Sequence, residues 1–162
     1  MKNIVAIIAC LLTGCVSTPV LFSSVGPAPY ASSSAASNGQ LEVFSALEGH
    51  AEGDNPTWFQ HSDYYLYTPE RKLLKHVWNT IGHYEQAPKW ITLPAGTYIV
   101  KARAKDYFWV ELPVLIRSGQ STVVHLDDMW TPPAGTQKTK VVYAPDGHPV
   151  GWSATPPDEK KE

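Results

Sequence analysis

The sequence contains very little cysteine, and none of it lies beyond residue 15. Cys10 and Cys15 are the only two cysteines among 162 residues. Residues 16–162 therefore cannot form a disulfide among themselves. The stability of the folded part must come from packing alone.

Long hydrophobic runs and an excess of positive charge are also missing. The most apolar segment, residues 4–12, is nine residues long, well below the roughly 20 that cross a bilayer as a helix. Lys and Arg total 13 against 15 Asp and Glu, a net charge of -2. A nucleic-acid partner is not expected, because such a partner requires a basic surface.

The first residues have the layout of a secretory signal, with Lys2 before the apolar segment and small residues after it. The sequence Leu12-Thr13-Gly14-Cys15 resembles the bacterial lipobox. This resemblance implies that residues 1–14 are a signal peptide, and that Cys15 carries diacylglycerol and palmitate and anchors a lipoprotein to the membrane. The alternative is an ordinary signal peptide with an incidental cysteine. Val16 stands where an inner-membrane retention signal has Asp, which favours the outer membrane, with the domain in the periplasm or at the cell surface.

Both ends of the chain have the composition of linkers. Residues 15–38 are rich in Ser, Ala and Pro, which predicts a flexible tether after the lipidated cysteine. Residues 129–162 are rich in Pro and end in charged residues, which predicts a solvated tail. Within that tail Asp146-Gly147 is a turn signal between apolar segments that can form one small hairpin.

Residues 39–128 show the period of two that is typical of strands. Leu41 and Val43 face one way in the first strand, and residues 110–116 repeat the alternation. No long stretch keeps a helical pattern. Residues 71–78 are ambiguous, and we interpret them as the second strand of a hairpin across residues 69–71. The spacing predicts an all-β fold, a small antiparallel β-sandwich of about six to seven strands.

Residues 93–126 carry a recognisable pattern. Leu93-Pro94-Ala95-Gly96-Thr97-Tyr98 is a turn that leads into a strand, and Gly119 precedes a last strand rich in Thr, Val and Leu. The pattern resembles the carboxypeptidase-regulatory-like and PEGA-type domains, which are transthyretin-like or immunoglobulin-like sandwiches. It departs from them at Asp106-Tyr107, where such domains often have Gly-Tyr. The resemblance implies an accessory or adhesion module without catalytic residues.

Motifs of catalysis and metal binding are absent from the sequence. The six histidines are scattered, without His-Glu-x-x-His spacing or a cysteine partner, so neither a metal nor a cofactor is predicted. Gly-x-Ser-x-Gly does not occur, and Ser118-Gly119 is only a turn. We therefore predict that the protein is not an enzyme.

Aromatic residues are abundant: six Trp, eight Tyr and four Phe. Rings on an exposed sheet face can stack on sugars or bind a peptide. In a small sandwich without disulfides they can instead fill the core, and the area that each ring buries favours this interpretation. Tyr65, Tyr67 and Trp109 are the candidate binding residues if the rings form a face.

Three functions are considered. The first is a non-catalytic, membrane-anchored envelope lipoprotein that presents its sandwich as an interaction or spacer module to a protein or glycan, with Cys15 as its attachment to the membrane. The alternative is a carbohydrate-binding module that uses exposed aromatic residues. An uncharacterised hydrolase is the third and has no motif in its favour. The sequence leaves the oligomeric state open.

Overall fold

The computed structural model describes residues 20–29, 37–51, 53, 58–79, 87–105 and 109–154. In these residues the fold is all-β, as predicted, with one 3-10 turn at Lys138–Lys140. No helix among them is long and apolar enough to span a membrane. The strands are β1 (Val20–Leu21), β2 (Val25–Gly26), β3 (Asn38–Phe44), β4 (Leu47–His50), β5 (Trp58–His61), β6 (Tyr64–Tyr67), β7 (Leu73–Val77), β8 (Ile91–Pro94), β9 (Gly96–Ala102), β10 (Val110–Ile116), β11 (Ser121–His125), β12 (Val141–Tyr143) and β13 (Pro149–Ser153).

The strands form two sheets that share a core, together with a separate hairpin. The large sheet has eight strands, in the order β12-β13-β2-β10-β9-β6-β7, with β1 beside β10. The small sheet has the order β11-β3-β8, and β4 pairs with β5. Most neighbours are antiparallel, but β3 runs parallel to β11, and β1 and β2 run parallel to β10. The predicted sandwich is therefore present, with parallel pairings that join distant parts of the chain.

The core forms where alternating residues of the two sheets meet. Val110, Leu112, Val114 and Ile116 of β10 are at most 1% exposed, as the period of two predicted. They share one buried cluster with side chains of the small sheet, among them Leu41, Val43 and Val124.

The segment between residues 64 and 77 is a hairpin, as predicted. β6 and β7 pair from Tyr64 opposite Val77 to Tyr67 opposite Leu73. Arg71 in the turn has φ 64°, in the left-handed region. Residues 73–77 are therefore strand, which confirms the interpretation made from the sequence.

Residues 20–29 belong to the folded unit, so the prediction of a flexible tether over residues 15–38 is wrong for them. β1 and β2 both lie along β10. Phe22 and Val25 are 7% and 0% exposed within the core. Strands of two residues leave no detectable period, and their burial depends on β10, which comes much later in the chain. Residues 15–19 and 30–36 lie outside the described residues.

The C-terminal segment also completes the large sheet. β12 and β13 form a hairpin around Asp146-Gly147, and β13 pairs with β2. Val142 and Val150 are 4% and 1% exposed. The predicted hairpin around Asp146-Gly147 is thus present, but its strands belong to the large sheet and not to a solvated tail. The strands of the sandwich extend from residue 20 to residue 153, beyond the predicted 39–128.

A buried asparagine joins the end of β7 to the small sheet. Asn79 is 1% exposed, and its Nδ2 donates to the carbonyl of Val43 at 2.8 Å and to Ser45 Oγ at 3.1 Å. Its Oδ1 accepts from the backbone N–H of Lys89 at 3.0 Å. These bonds replace water for groups that would otherwise be buried without partners, and they fix the corner from which β4 and β5 project.

One carboxyl group is buried in β3. Glu42 is 6% exposed, and burial raises its pKa from 4.5 to about 7. The folded protein therefore holds this proton more tightly than the unfolded chain does. The stabilising contribution is complete below pH 4.5 and is lost as the pH rises through about 7.

Candidate functional site

Two of the three predicted binding residues come together on the outer face of the large sheet. Tyr65 of β6 is in register with Lys101 of β9, and its ring centroid is 6.0 Å from that of Trp109, which directly precedes β10. Tyr67 lies two residues further along β6, in register with Ile99. All three side chains are half-buried and outside the core. The structure thus places these rings on a face of the sandwich.

Two further rings extend this cluster across β7. His76 stacks on Tyr65 with centroids 4.7 Å apart and planes inclined by 17°. Trp78, the residue after β7, lies 4.5 Å from His76 and is 67% exposed. We call Tyr65, His76, Trp78 and Trp109 the aromatic patch. His76 and Trp78 were not among the candidate binding residues chosen from the sequence, because only the pairing of β6 with β7 brings them beside Tyr65.

Charged groups border the aromatic patch. Lys101 Nζ lies 5.9 Å from the centre of the Trp109 ring, within the range of a cation–π contact. His76 Nε2 is 3.3 Å from Asp63 Oδ2. The patch is therefore a mixed surface of rings with polar edges, which suits contact with a partner that has both apolar and polar parts.

A second candidate site is a cleft on the small sheet, beside the β4–β5 hairpin. It encloses about 470 Å³, a volume in the range of small-molecule sites. We call it the histidine cleft, and its walls include Phe44, His61, His125, Asp127 and Trp130. His125 is stacked between Phe44, at 4.7 Å, and Trp130, at 5.1 Å. The ring of His61 meets Phe44 edge-on at 5.3 Å. His125 alternates with the buried side chains of Val124 and Leu126 and therefore lies on the outer face of the small sheet.

The histidine cleft favours neutral side chains. Burial, with a smaller contribution from His61, lowers the pKa of His125 to about 4. Burial likewise raises the pKa of Asp127, against the backbone N–H of Met129 and His61, which lower it. His61 is held by its Nδ1, which donates to the carbonyl of Ser45 at 2.6 Å.

The geometry of the histidine cleft does not form a proton relay. His125 Nδ1 and Asp127 Oδ1 are 3.9 Å apart, too far for a hydrogen bond. Among the described residues, no group of three or more His, Cys, Asp and Glu side chains is placed to hold a metal ion. What the cleft offers is aromatic and polar side chains in its walls, an arrangement suited to binding.

Cys15, the predicted lipidation site, lies outside the described residues. No family model matches the chain, and no curated protein and no solved structure matches it either.

Proposed function

We propose that the chain is a non-catalytic envelope lipoprotein, anchored to the membrane through acylated Cys15, that presents its sandwich as an interaction module. The observation that carries the interaction role is the aromatic patch. Exposed clusters of large rings on a small domain typically mark a contact surface, and Trp78 is 67% exposed. The succession of β8, β9, β10 and β11 supports a sandwich of carboxypeptidase-regulatory-like or PEGA type.

The lipid anchor rests on the lipobox resemblance and on the position of Cys15 before the first described strand. The first described strand starts at Val20, five positions after Cys15, so acylation would leave the fold intact. More than one acyl chain gives durable anchoring, whereas a single chain holds only marginally. Because Val16 does not match the inner-membrane signal, the outer membrane is the proposed location, with the domain in the periplasm or at the surface.

The anchor is tested by metabolic labelling with a radioactive fatty acid. Cys15→Ser should abolish labelling and leave the chain unprocessed, because the thiol of Cys15 is the acyl acceptor. Cys10→Ser is the matched control, because Cys10 lies in the segment to be removed, and it should be labelled like the wild type. Labelling of the Cys15→Ser variant would refute the lipoprotein assignment.

The alternative of a carbohydrate-binding module is favoured by one observation, the stack of Phe44, His125 and Trp130 beside Asp127. Sugar sites combine ring faces with a few polar groups. Sedimentation with insoluble polysaccharides tests it. Trp130→Ala should abolish binding, and Trp90→Ala, at a ring 46% exposed outside the cleft, should not. A wild-type protein that stays in the supernatant with every polysaccharide would exclude this function.

A further inference from the structure

The aromatic patch lies at the end of the sandwich from which the N-terminal chain leaves. β1 begins at Val20, in register with Val110, and Trp109 directly precedes Val110. Trp78 directly follows the last residue of β7. We call this end, where β1, β6 and β10 begin and β7 and β9 end, the anchor end. Both tryptophans lie just beyond the strands, at its rim.

Covalent geometry limits how far the anchor end can be from a lipid on Cys15. Five positions separate Cys15 from Val20, and an extended chain of that length spans at most about 18 Å. Trp109 directly precedes β10, the strand next to β1, and Trp78 directly follows β7, which lies four strands away from β1. At the spacing of neighbouring strands these separations are about 5 Å and about 19 Å. A bilayer that holds acyl chains on Cys15 is therefore within reach of both rings.

Exposed apolar side chains also occur at the anchor end of the other sheet. The backbone N–H of Ala46 donates to the carbonyl of Arg103 at 2.8 Å, so the chain leaving β3 meets the chain leaving β9 there. Leu47, Phe59 and Met129 follow in the adjoining hairpin and loop and are 40%, 51% and 73% exposed. Apolar side chains are thus exposed at the same end beside both sheets of the sandwich.

We propose that the anchor end rests in the headgroup region of the bilayer that holds the lipid on Cys15, with Trp78 and Trp109 inserted at the interface. This inference rests on the proposed lipoprotein function and names the partner of its aromatic patch. Tryptophan and tyrosine concentrate at the membrane interface because their rings are apolar and their edges polar. Lys101, whose Nζ lies 5.9 Å from the centre of the Trp109 ring, can place its ammonium among the phosphates.

The charge of the protein indicates which bilayers it contacts. The net charge is -2, so no basic excess draws the domain to anionic lipid. Ring insertion should therefore occur on zwitterionic phosphatidylcholine vesicles and change little when phosphatidylglycerol is added.

The experiment measures tryptophan fluorescence of the intact acylated protein in phosphatidylcholine vesicles that contain lipid brominated on shallow acyl carbons. The wild type should be quenched. Trp78→Ser should lose more than about half of the quenching, since it removes one inserted ring and weakens insertion of the other. Leu74→Ser is the matched control, because Leu74 is 47% exposed on the same hairpin but lies near the opposite end. It should be quenched like the wild type, and all three proteins should have equal melting temperatures in detergent.

Each remaining outcome overturns a stated claim. The membrane contact would be refuted if brominated lipid did not quench the tryptophans of the acylated wild type, or if it quenched the wild type and Trp78→Ser equally. Either result would leave the lipid anchor on Cys15 unaffected. If a polysaccharide or a second copy of the chain protected Trp78 and vesicles did not, the aromatic patch would be assigned to that partner. The membrane contact would then also be refuted. Absence of fatty-acid label on Cys15 would overturn the anchor and this inference together.

Discussion

Replacing Gly39 by alanine should destabilise the fold strongly, because a Cβ atom has no room there. Gly39 lies in β3, opposite Leu93. An added Cβ would lie 2.3 Å from the carbonyl oxygen of Arg117, 2.9 Å from that of Gln120 and 2.8 Å from Ile116 Cγ2. The two oxygens belong to the turn between β10 and β11, which crosses from the large sheet to the small one.

That turn cannot move away without breaking hydrogen bonds on both sides of Gly39. The N–H of Gly119 donates to the carbonyl of Asn38 at 2.8 Å, and the N–H of Gln40 donates to that of Gln120 at 2.9 Å. Overpacking typically costs 1–3 kcal/mol, and one weakened hydrogen bond adds about 1 kcal/mol. We expect Gly39→Ala to lower the free energy of unfolding by about 2 to 4 kcal/mol and the melting temperature by about 10 °C.

Urea titration followed by circular dichroism measures this loss, and Gly135→Ala is the matched control. Gly135 has φ 82°, and nothing lies within 4 Å of an added Cβ, so this variant should lose only about 1 kcal/mol through the left-handed backbone. If Gly39→Ala costs no more than Gly135→Ala, the close approach of the turn to β3 is refuted.

Three further predictions test the core, the corner and the titrating groups. Phe22→Ala should cost about 3 to 5 kcal/mol in urea titration, whereas a residue in a flexible tether would cost almost nothing. Asn79→Ala should cost about 2 to 4 kcal/mol, because it leaves buried groups without partners, and Asn79→Asp should not rescue it, since a carboxylate cannot donate to the carbonyl of Val43. Burial raises the pKa of Glu42 to about 7, so the free energy of unfolding decreases as the pH rises from 4.5 to about 7. Burial lowers the pKa of His125 to about 4, so the free energy of unfolding decreases as the pH falls from 6.5 to about 4. In melting curves from pH 4 to 8, Glu42→Gln should therefore become more stable than the wild type at pH 8, and His125→Gln should lose the decline at acid pH; unchanged profiles would contradict both assignments.

The candidate site was only partly predictable from the sequence. Tyr65 and Trp109 were identified because they stand out as rings in strand-like segments, but their neighbour His76 was discounted as one of six scattered histidines. The stacking of His76 on Tyr65 follows from the register of β6 and β7, and a slip of one residue would turn it to the other face. The histidine cleft was missed because Phe44 and His125 meet only through the pairing of β3 with β11.

The sequence by itself determined the local features of the chain. Alternation in residues 110–116 was sufficient to predict a strand and its buried side, because side chains in a strand alternate whatever lies beside them. The turns were equally local, since Asp146-Gly147 carries its own conformational preference.

Only the tertiary structure decided how distant segments meet. Leu41 pairs with Thr122 and Val20 with Val110, and in neither case does the sequence near one partner specify the other. The residues around Phe22 and Val25 have the composition of a linker. Both side chains are nevertheless buried, because β1 and β2 pair with the edge of β10 beside the apolar core. Burial is a property of the assembled sheets, and so only the fold could show that residues 20–29 belong to the domain.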